Sequence, residues 1–264
     1  MPLTVAIPKA LFPFVDQHKN VKAVLHILLE AVREVGINDV YLVVSPGQEE
    51  IVKRYLDAPR DLCEISFPSN ISFIEQREPK GFGDAVLQGK SFVGEEAFVL
   101  LLGDHIHPSN PGRTSCISQV MAAFEKVGAK AMIGVHDVDE ASIHTMGVAA
   151  GIPVGENVFR CTEFVEKPAR HIAKKRLCTK GLPKGRYLAH CGIYIFDAEI
   201  FDCLEREQSK VKTGGGELEL AAAQARLLQR YPDSYYLCRI DGKAYDMGNP
   251  EGYLKAFKAM AGDK

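Results

Sequence analysis

A continuous apolar run at residues 97–102, which ends at Gly103 and Asp104, restricts the fold of this chain more than any other stretch. If the run is a strand, it is buried on both faces, as strands in the middle of a parallel sheet are. Ligands of open α/β sheets bind beyond the carboxyl ends of the strands. The sequence therefore predicts that Asp104 lies where chemistry occurs, although an aspartate that only caps a turn explains these residues equally well.

Strands and helices alternate on both sides of this run. Apolar positions at helical spacing predict helices at about 20–36, 47–56, 84–92, 115–127, 169–178, 198–207, 217–230 and 250–260. Apolar or alternating runs predict strands at about 40–44, 71–74, 130–135, 147–150, 157–165, 186–196 and 235–240. Strands alternating with helices of this length are typical of βαβ units, so we predict an α/β fold with a mostly parallel sheet.

The start of the chain departs from this pattern. Doubly wound folds normally begin with a strand and a glycine-rich turn that holds phosphate. Residues 2–16 instead contain three prolines, which prevent a regular helix, and a predicted helix follows. Either the order of elements is unusual or the start of the gene product is absent.

Composition restricts the class of protein. The net charge of -2 provides no basic field that would recruit nucleic acid or an anionic membrane. Seven cysteines, an odd number with no C-x-x-C pair, predict reduced thiols and a cytoplasmic location. No apolar run approaches the length of a membrane span, and no leader is visible, so the sequence predicts a soluble chain of one domain.

Several polar residues near strand ends are candidates for a phosphate or nucleotide site. Lys9, in the stiff proline segment, can contact phosphate, although a solvated surface lysine explains it better on these residues alone. Gln76 can pair with a nucleobase edge or be an ordinary loop residue. The glycines of Gly81-Phe82-Gly83 allow backbone N–H groups to approach a ligand.

The second half of the chain adds a candidate metal ligand and candidate sugar contacts. Glu166-Lys167-Pro168 ends a strand with an acid that can accept sugar hydroxyls and an ammonium that can meet phosphate. The glycines of TGGGE, residues 213–217, are predicted to open a helix at its positive end. Asp246 is the predicted partner of Asp104, because proteins usually hold magnesium through carboxylates and phosphate oxygens.

Other motifs have weaker support. Asp137-Val138-Asp139 resembles the metal-holding D-x-D of glycosyltransferases, but acidic turn pairs are common. His105 and His107 have a spacing that suits zinc, yet the sequence places no further cysteine or histidine with them, which favours ordinary loop histidines. No G-x-S-x-G elbow supports a serine hydrolase. The basic stretch at residues 170–186 is interpreted as a solvated face.

The order of the motifs resembles a known family. GFGDAVLQGKSFVGEEAFVLLLGDHI, MGV, FVEKP, HCGIYIF, GGGELEL and AYDMGNPEGYLKAF are similar to motifs of the sugar nucleotidylyltransferases, in particular the bacterial-type UTP:glucose-1-phosphate uridylyltransferases. The likeness covers nearly the whole chain. It implies a three-layer α/β/α, Rossmann-like fold in a single domain, residues 1–264, with a nucleotide-binding half at about 1–136 and a sugar-binding half at about 137–264.

The resemblance also implies a reaction and roles for individual residues. The reaction is transfer of a nucleotidyl group from a nucleoside triphosphate, UTP, to a sugar 1-phosphate, glucose 1-phosphate, with release of pyrophosphate. The implied roles are Mg²⁺ binding by Asp104 and Asp246, phosphate contact by Lys9, sugar-phosphate contact by Lys167, base contact by Gln76 and Gly81, and sugar contact by Gly147, Glu166, Gly192 and Glu217. Homo-oligomers are frequent in the family.

Two departures from the family pattern leave an alternative open. The strand and G-x-G-T-R loop that the family carries directly before the position of Met1 are absent, and the helix after GGGELEL reads AAAQ in place of a Thr-Asp pair. A non-catalytic sugar-nucleotide-binding or regulatory paralogue would explain the missing loop. A glycosyltransferase is a third reading, which rests on Asp137 and Asp139 alone.

Overall fold

A computed structural model of the chain describes residues 6–15, 20–58, 67–110 and 112–261. Cys63 and part of the predicted proline segment lie outside the described residues. The strands are β1 (Pro13–Val15), β2 (Val21–Ala23), β3 (Asp39–Val44), β4 (Asn70–Glu75), β5 (Phe98–Leu101), β6 (His105–Ile106), β7 (Ala131–Asp139), β8 (Gly147–Gly155), β9 (Val158–Glu166), β10 (Arg186–Phe196), β11 (Tyr235–Arg239) and β12 (Tyr245–Asp246). The helices are α1 (Val24–Glu34), α2 (Gln48–Leu56), α3 (Phe82–Gln88), α4 (Lys90–Val93), α5 (Cys116–Val127), α6 (Arg170–Arg176), α7 (Glu199–Gly214), α8 (Leu220–Arg230) and α9 (Pro250–Ala261).

Contacts between residues divide the chain into two compact units. The first unit contains Met1–Pro79, Leu102–Pro108 and Ala244–Lys264, and the second contains Lys80–Leu101 and Ser109–Lys243. These units are defined by packing alone. The predicted division of one domain near residue 136 into halves that bind nucleotide and sugar concerns ligands and stays a prediction.

The first unit is built on the parallel pair β3 and β4, with α1 and α2 packed beside it. All six residues of β3 pair in register with β4. Leu25 and Leu29 of α1 and Val52 and Leu56 of α2 form a buried cluster, because these apolar positions recur at helical spacing. The predicted helix at residues 20–36 begins later than expected, at Val24, since β2 pairs antiparallel with β1.

The second unit contains the large sheet, in the order β5-β10-β7-β11-β9-β8. β11 runs parallel to β7, while β10 runs antiparallel to β5, β7 and β8, and β9 runs antiparallel to β8 and β11. β5, β7, β8 and β11 therefore share one direction, against β9 and β10. The predicted α/β fold class, with a central multi-stranded sheet, is confirmed. The predicted mostly parallel character is wrong for this sheet, because among its described strands only β7 and β11 pair in parallel.

The position predicted for the apolar run at residues 97–102 is wrong. Among the described strands of this sheet, β5 lies at the edge and pairs with β10 alone. Every residue of β5 is partly exposed. A strand at an edge is paired on one side only, so its apolar side chains are covered incompletely. The ring of Phe98 is covered by Phe201 of α7, with ring centroids 5.1 Å apart.

The glycines of TGGGE do not open a helix as predicted. α7 extends to Gly214, and α8 begins only at Leu220. Gly215 and Gly216 have φ angles of 77° and 105°. Glycine is the residue that commonly adopts positive φ values after the last turn of a helix, so these residues end α7.

Among the described residues, no helix combines the length and the apolar character needed to cross a membrane.

Candidate active site

The residues implied by the family resemblance fall into two groups, one in each unit. The first unit contains Lys9, Gln76, Asp104 and Asp246. The second unit contains Gly81, Gly147, Glu166, Lys167, Gly192 and Glu217. Each group is described separately.

The two acids predicted to share a metal ion lie close together, although they are far apart in the chain. β6 and β12 pair antiparallel, with Asp246 opposite His105. The Met247 N–H donates a hydrogen bond to the Asp104 carbonyl oxygen at 2.9 Å. One ligand atom each from Asp104, His105 and Asp246 consequently lies within 4.8 Å of the others. Among the described residues, these three side chains form the candidate metal site.

Glycines leave space beside these carboxylates. A Cβ at Gly248 would lie 2.8 Å from Asp246 Oδ1 and 3.5 Å from Asp104 Oδ2. A Cβ at Gly252 would lie 1.8 Å from the Asp246 carbonyl oxygen. The Gly248 N–H also donates to Asp246 Oδ1 at 2.6 Å, which orients the carboxylate. Two neighbouring carboxylates fit Mg²⁺, which proteins bind through one or two carboxylates together with water and phosphate oxygens.

The surroundings of Asp104 favour its charged form. His105 Nδ1 lies 3.0 Å from Asp104 Oδ1, and Lys9 Nζ lies 3.4 Å from Asp104 Oδ2. Burial acts to raise the pKa of Asp104, but the hydrogen bond and charge of His105 and the charge of Lys9 outweigh it, so the pKa lies below the ordinary value of 3.8. A deprotonated carboxylate is the form that binds metal.

Lys9 and Gln76 have local backbone positions that suit ligand contact. Lys9 begins a 3-10 turn, Lys9–Leu11, directly after Pro8, and the Leu11 N–H donates to the Pro8 carbonyl oxygen at 2.9 Å. Gln76 follows β4, and its N–H donates to the Val44 carbonyl oxygen at 2.8 Å, so it lies at the carboxyl end of the parallel pair. Ligands of parallel sheets bind at this end.

In the second unit, the Gly81 loop packs directly against Glu217 and Leu218. The Gly83 N–H donates to the Leu218 carbonyl oxygen, and the Leu218 N–H donates to the Lys80 carbonyl oxygen, both at 2.7 Å. Gly81 has a φ of 105°, and a Cβ there would lie 2.6 Å from the Leu218 carbonyl oxygen. Both the backbone angle and the close approach therefore require glycine. The structure thus brings together Gly81, a predicted base contact, and Glu217, a predicted sugar contact.

Gly147 and Glu166 lie opposite each other on β8 and β9. A Cβ at Gly147 would lie 2.9 Å from Glu166 Oε2 and 3.0 Å from His190 Nδ1. The lack of a side chain at Gly147 therefore allows two polar atoms to lie close to the backbone of β8. Burial raises the pKa of Glu166, and the charge of Glu219 raises it further, while Lys167 lowers it; the net pKa lies above the ordinary value of 4.5.

His190, which the sequence analysis did not single out, forms part of this border. Its Nε2 is buried and has no hydrogen-bond partner among the described residues. The rings of Phe164 and Tyr194 flank it, with centroids 5.6 Å and 6.0 Å away. Burial lowers the pKa of His190 to about 4, so the ring is neutral at neutral pH.

Lys167 has an unusual backbone conformation. Its φ is 47°, which is uncommon for a residue other than glycine. Its N–H donates to the Met146 carbonyl oxygen at 3.2 Å, and its Nζ lies 3.8 Å from Glu166 Oε1. Strained residues of this kind persist where the surrounding structure holds them, often at ligand sites.

Gly192 occupies an irregularity in β10. The register of β10 against β7 shifts between His190 and Tyr194, and Gly192 has a φ of 82°. A side chain would be strained at this angle, so the bulge depends on glycine. The bulge lies directly after His190.

The D-x-D alternative has a structural explanation. Asp139 Oδ1 accepts hydrogen bonds from the N–H groups of Ala141 and Ser142 and from the Ser142 hydroxyl, at 3.0 to 3.1 Å. Asp137 Oδ2 lies 3.8 Å from the Arg239 guanidinium. Asp139 therefore stabilises a turn, in the manner of aspartates at loop starts.

The basic stretch forms ion pairs on an exposed face. Lys174 Nζ lies 2.9 Å from Glu140, and Arg176 pairs with Glu163. These contacts agree with the interpretation of the stretch as a solvated face.

Sequence reasoning missed two histidines for different reasons. His105 was set aside because no third ligand stands near it in the sequence, whereas the structure brings Asp246 beside it. His190 stands two residues before Gly192, in HCG, and this proximity is the one signal in the sequence that could have identified it.

Comparison with known proteins identifies related sequences along nearly the whole chain. The family model described as nucleotidyl transferase matches residues 1–262. The UTP–glucose-1-phosphate uridylyltransferase 2 of Staphylococcus saprophyticus is 30% identical, over 97% of this chain and 85% of the relative. The UTP–glucose-1-phosphate uridylyltransferase of Bacillus subtilis is 31% identical, over 96% of this chain and 84% of the relative.

Solved structures that share the fold of this chain include UDP-glucose pyrophosphorylases. A UDP-glucose pyrophosphorylase complexed with UDP-glucose matches with a TM-score of 0.79 and 25% identity, over 98% of this chain and 92% of that chain. A UTP-bound UGPase from Acinetobacter baumannii matches with a TM-score of 0.78 and 24% identity, over 98% of this chain and 87% of that chain, which shows a common fold. The predicted Rossmann-like nucleotidyltransferase fold is thereby confirmed.

Proposed function

Because this chain belongs to the nucleotidyl transferase family, we propose that it transfers a uridylyl group from UTP to glucose 1-phosphate and releases pyrophosphate. The names of its relatives support this pair of substrates. The observation that carries the proposal is the convergence of Asp104 and Asp246, two acids from distant parts of the chain, on one place.

The reaction is an in-line displacement at phosphorus. An oxygen of the glucose 1-phosphate attacks the α-phosphorus of UTP, the bond from that phosphorus to the β-phosphate oxygen breaks, and pyrophosphate leaves with the electron pair. Positioning and charge neutralisation suffice for this chemistry, so no protein nucleophile is needed. The buried thiols are not suited to act as nucleophiles either. Burial raises the pKa of Cys116 and Cys161 to about 12, which leaves them protonated and unreactive.

Asp104 and Asp246 would hold Mg²⁺. When bound, the ion supplies charge neutralisation at the phosphate oxygens. Lys9, more than a third exposed and 3.4 Å from Asp104, contributes a positive charge toward the triphosphate. Lys167 contributes a positive charge toward the phosphate group of glucose 1-phosphate. Gln76 and Gly81 contact the base in this proposal.

The sugar contacts lie in the second unit. Glu166 and Glu217 accept hydrogen bonds from sugar hydroxyls, and Gly147 and Gly192 leave space for the ring. The close approach of Gly147 to Glu166 Oε2 and His190 Nδ1 supports this assignment, because it brings two groups that can pair with sugar hydroxyls to one place. The neutral His190 ring can donate or accept at this position.

Two finer points of the proposal rest on the sequence alone. Reduced cysteines favour a cytoplasmic location, and the family resemblance favours a homo-oligomer.

The proposal is tested by pyrophosphate release from a panel of nucleoside triphosphates and sugar 1-phosphates with Mg²⁺. UTP with glucose 1-phosphate should give the fastest turnover. Asp104→Asn should reduce turnover by about a thousandfold, in the range found when an electrostatic contact to a transition state is removed. The matched control is Asp139→Asn, at a turn, which should retain turnover.

Two outcomes would contradict the proposal. If Asp104→Asn retains turnover, the metal assignment is wrong. If the protein turns over no pair of substrates but still binds a nucleotide sugar, it is a non-catalytic binding or regulatory protein.

A further inference from the structure

His105 is the one residue of the metal group that the proposed mechanism does not use. Its Nδ1 lies 3.0 Å from Asp104 Oδ1, and ligand atoms of Asp104, His105 and Asp246 all lie within 4.8 Å of one another. All three residues belong to the first unit. We propose that His105 is a third protein ligand of the ion held by Asp104 and Asp246, and that it shifts the preference of the site from Mg²⁺ toward Co²⁺.

The separations fit a single coordination sphere. Ligand atoms about 2.1 Å from an octahedral ion are about 3.0 Å apart when adjacent and about 4.2 Å apart when opposite. The separation of 3.0 Å between Asp104 Oδ1 and His105 Nδ1 equals the value for adjacent ligands. Without an ion this contact is a hydrogen bond, and Nδ1 becomes a ligand when it releases its proton on metal binding. The ligand atoms of all three residues lie within 4.8 Å of one another, which is close to the separation of opposite ligands.

The imidazole of His105 is held in place rather than solvated. β6 positions the His105 backbone opposite Asp246, and the backbone N–H of His105 donates to the Leu102 carbonyl oxygen at 3.1 Å. Its side chain is only 16% exposed, and its ring stacks on that of His107 with centroids 6.4 Å apart. A ring restricted in this way loses little freedom when it binds an ion, which favours affinity.

The chemistry of the ligand atoms determines which ions bind more tightly. Carboxylates and phosphate oxygens suit Mg²⁺ and Mn²⁺, whereas imidazole binds later first-row ions better. Replacing one oxygen ligand by the His105 nitrogen therefore increases the affinity for Co²⁺ more than the affinity for Mg²⁺.

The inference rests on the metal site of the proposed function, but its test does not depend on turnover. Co²⁺ binding is followed by its visible absorption, Mg²⁺ binding by competition with Co²⁺, and nitrogen ligation by the ¹⁴N coupling of bound Mn²⁺ in pulsed EPR. The variants are His105→Asn and, as the matched control, His107→Asn. Circular dichroism and thermal unfolding establish that each variant is folded.

His105→Asn should weaken Co²⁺ binding by at least about tenfold, in the range found when contacts around metal ions are removed. Mg²⁺ binding should change by less than about threefold, since both carboxylates remain. The ¹⁴N coupling should be present in the wild type and in His107→Asn, and absent in His105→Asn.

Three results would overturn the inference: equal Co²⁺ affinity of His105→Asn and the wild type, ¹⁴N coupling that survives in His105→Asn, or no ¹⁴N coupling in the wild type. The last result decides the question even if His105→Asn fails to fold. Failure of the proposed function gives a different pattern, in which no substrate pair turns over while Co²⁺ binding still depends on His105.

Discussion

Single glycines determine where ligands can be placed in both units. Gly248 leaves space beside two carboxylates, and Gly147 leaves space between Glu166 and His190. Neither requires a positive φ, so the reason for glycine is close approach rather than backbone strain. At such positions one added methyl group changes the site more than the loss of an exposed charge elsewhere.

Gly147→Ala is therefore predicted to impair the sugar site while retaining the fold. The new methyl group would meet Glu166 Oε2 at 2.9 Å and His190 Nδ1 at 3.0 Å. The KM for glucose 1-phosphate should rise by about tenfold or more, in the range that one misplaced carbon costs a binding pocket. Steady-state kinetics measures the change. Gly155→Ala on the same strand, where the nearest side-chain atom lies 3.9 Å away, should leave KM unchanged.

Sequence reasoning reached the acids but not the histidines, for a physical reason. Asp104 follows an apolar run, which is a pattern visible in the sequence. The role of His105 depends on the pairing of β6 with β12, which no local pattern reveals. His190 lies within a mostly buried strand, where its type alone does not distinguish a ligand contact from a core residue.

At the scale of elements, α1 is connected to β2 by a charged contact. Lys22 donates to Glu30 at 2.9 Å and 3.0 Å, and His26 Nε2 lies 3.4 Å from Glu30 Oε1. Burial acts to raise the pKa of Glu30, but the contact with His26 and the hydrogen bonds and charge of Lys22 outweigh it, so the pKa lies below the ordinary value of 4.5. A carboxyl group with a lowered pKa stabilises the folded state in its ionised form.

Glu30→Gln should lower the free energy of unfolding by about 1 kcal/mol at pH 7, the upper range for a partly exposed ion pair. The stabilisation by Glu30 is complete above about the ordinary pKa and is lost as the pH falls through the lowered folded-state pKa. The two proteins should therefore converge in acid. Urea unfolding at several pH values measures this, with the exposed Glu34→Gln as control. A difference that is independent of pH would contradict the assignment to ionisation.

Helix α9 packs on the first strand through an aromatic cluster. Tyr253 lies 5.7 Å from Phe12 and 5.2 Å from Phe14, between ring centroids, and its hydroxyl donates to the Pro13 carbonyl oxygen at 2.9 Å. The helix begins shortly after Asp246, and Gly252 approaches the Asp246 carbonyl oxygen. Its docking therefore supports the strand that carries the second acid.

Tyr253→Ala should destabilise the protein by about 3 kcal/mol, because a packed aromatic ring and a hydrogen bond are lost. Leu254→Ala is the matched control, since Leu254 is 53% exposed and the change should cost less than about 0.5 kcal/mol. Thermal or urea unfolding measures both values. Equal effects of the two changes would contradict this packing of α9.

The types of most elements could be predicted, whereas their neighbours in the sheets could not. Periodicity predicted α2 and α5 to within about two residues, because a packed face imposes its spacing on the sequence. The edge position of β5 was missed, since an apolar run of four to six residues does not reveal which strands pair with it. The end of α7 was missed because its glycines suit either end of a helix.

At the scale of the whole molecule, the chain crosses between the two units several times. The first unit is assembled from three separate segments, and Asp104 and Asp246 lie in the second and third of them. Such an arrangement follows from long-range pairing, which sequence patterns describe poorly. The apolar run points to Asp104 and suggests Asp246 as its partner, and the family resemblance, which depends on the order of motifs, implies that both hold the metal ion.

Global packing should determine the reactivity of the cysteines. Burial raises the pKa of Cys116 and Cys161 to about 12 and that of Cys238 to about 11, whereas Cys178 is exposed. Among these four, Cys178 should be alkylated first by iodoacetamide at pH 8, since the thiolate is the reactive form. Mass spectrometry of labelled peptides measures the order. Rapid labelling of Cys161 in the native protein would contradict its burial, and urea should make all four react.

The short pairing of β6 with β12 also has a consequence for biosynthesis. A ribosome makes Asp104 long before it makes Asp246, so a nascent chain carries one half of an ion site whose other half has not yet been translated. Cations captured during translation would have no completed pocket to occupy. Loading of the enzyme is thereby deferred until β12 has been made and can pair with β6.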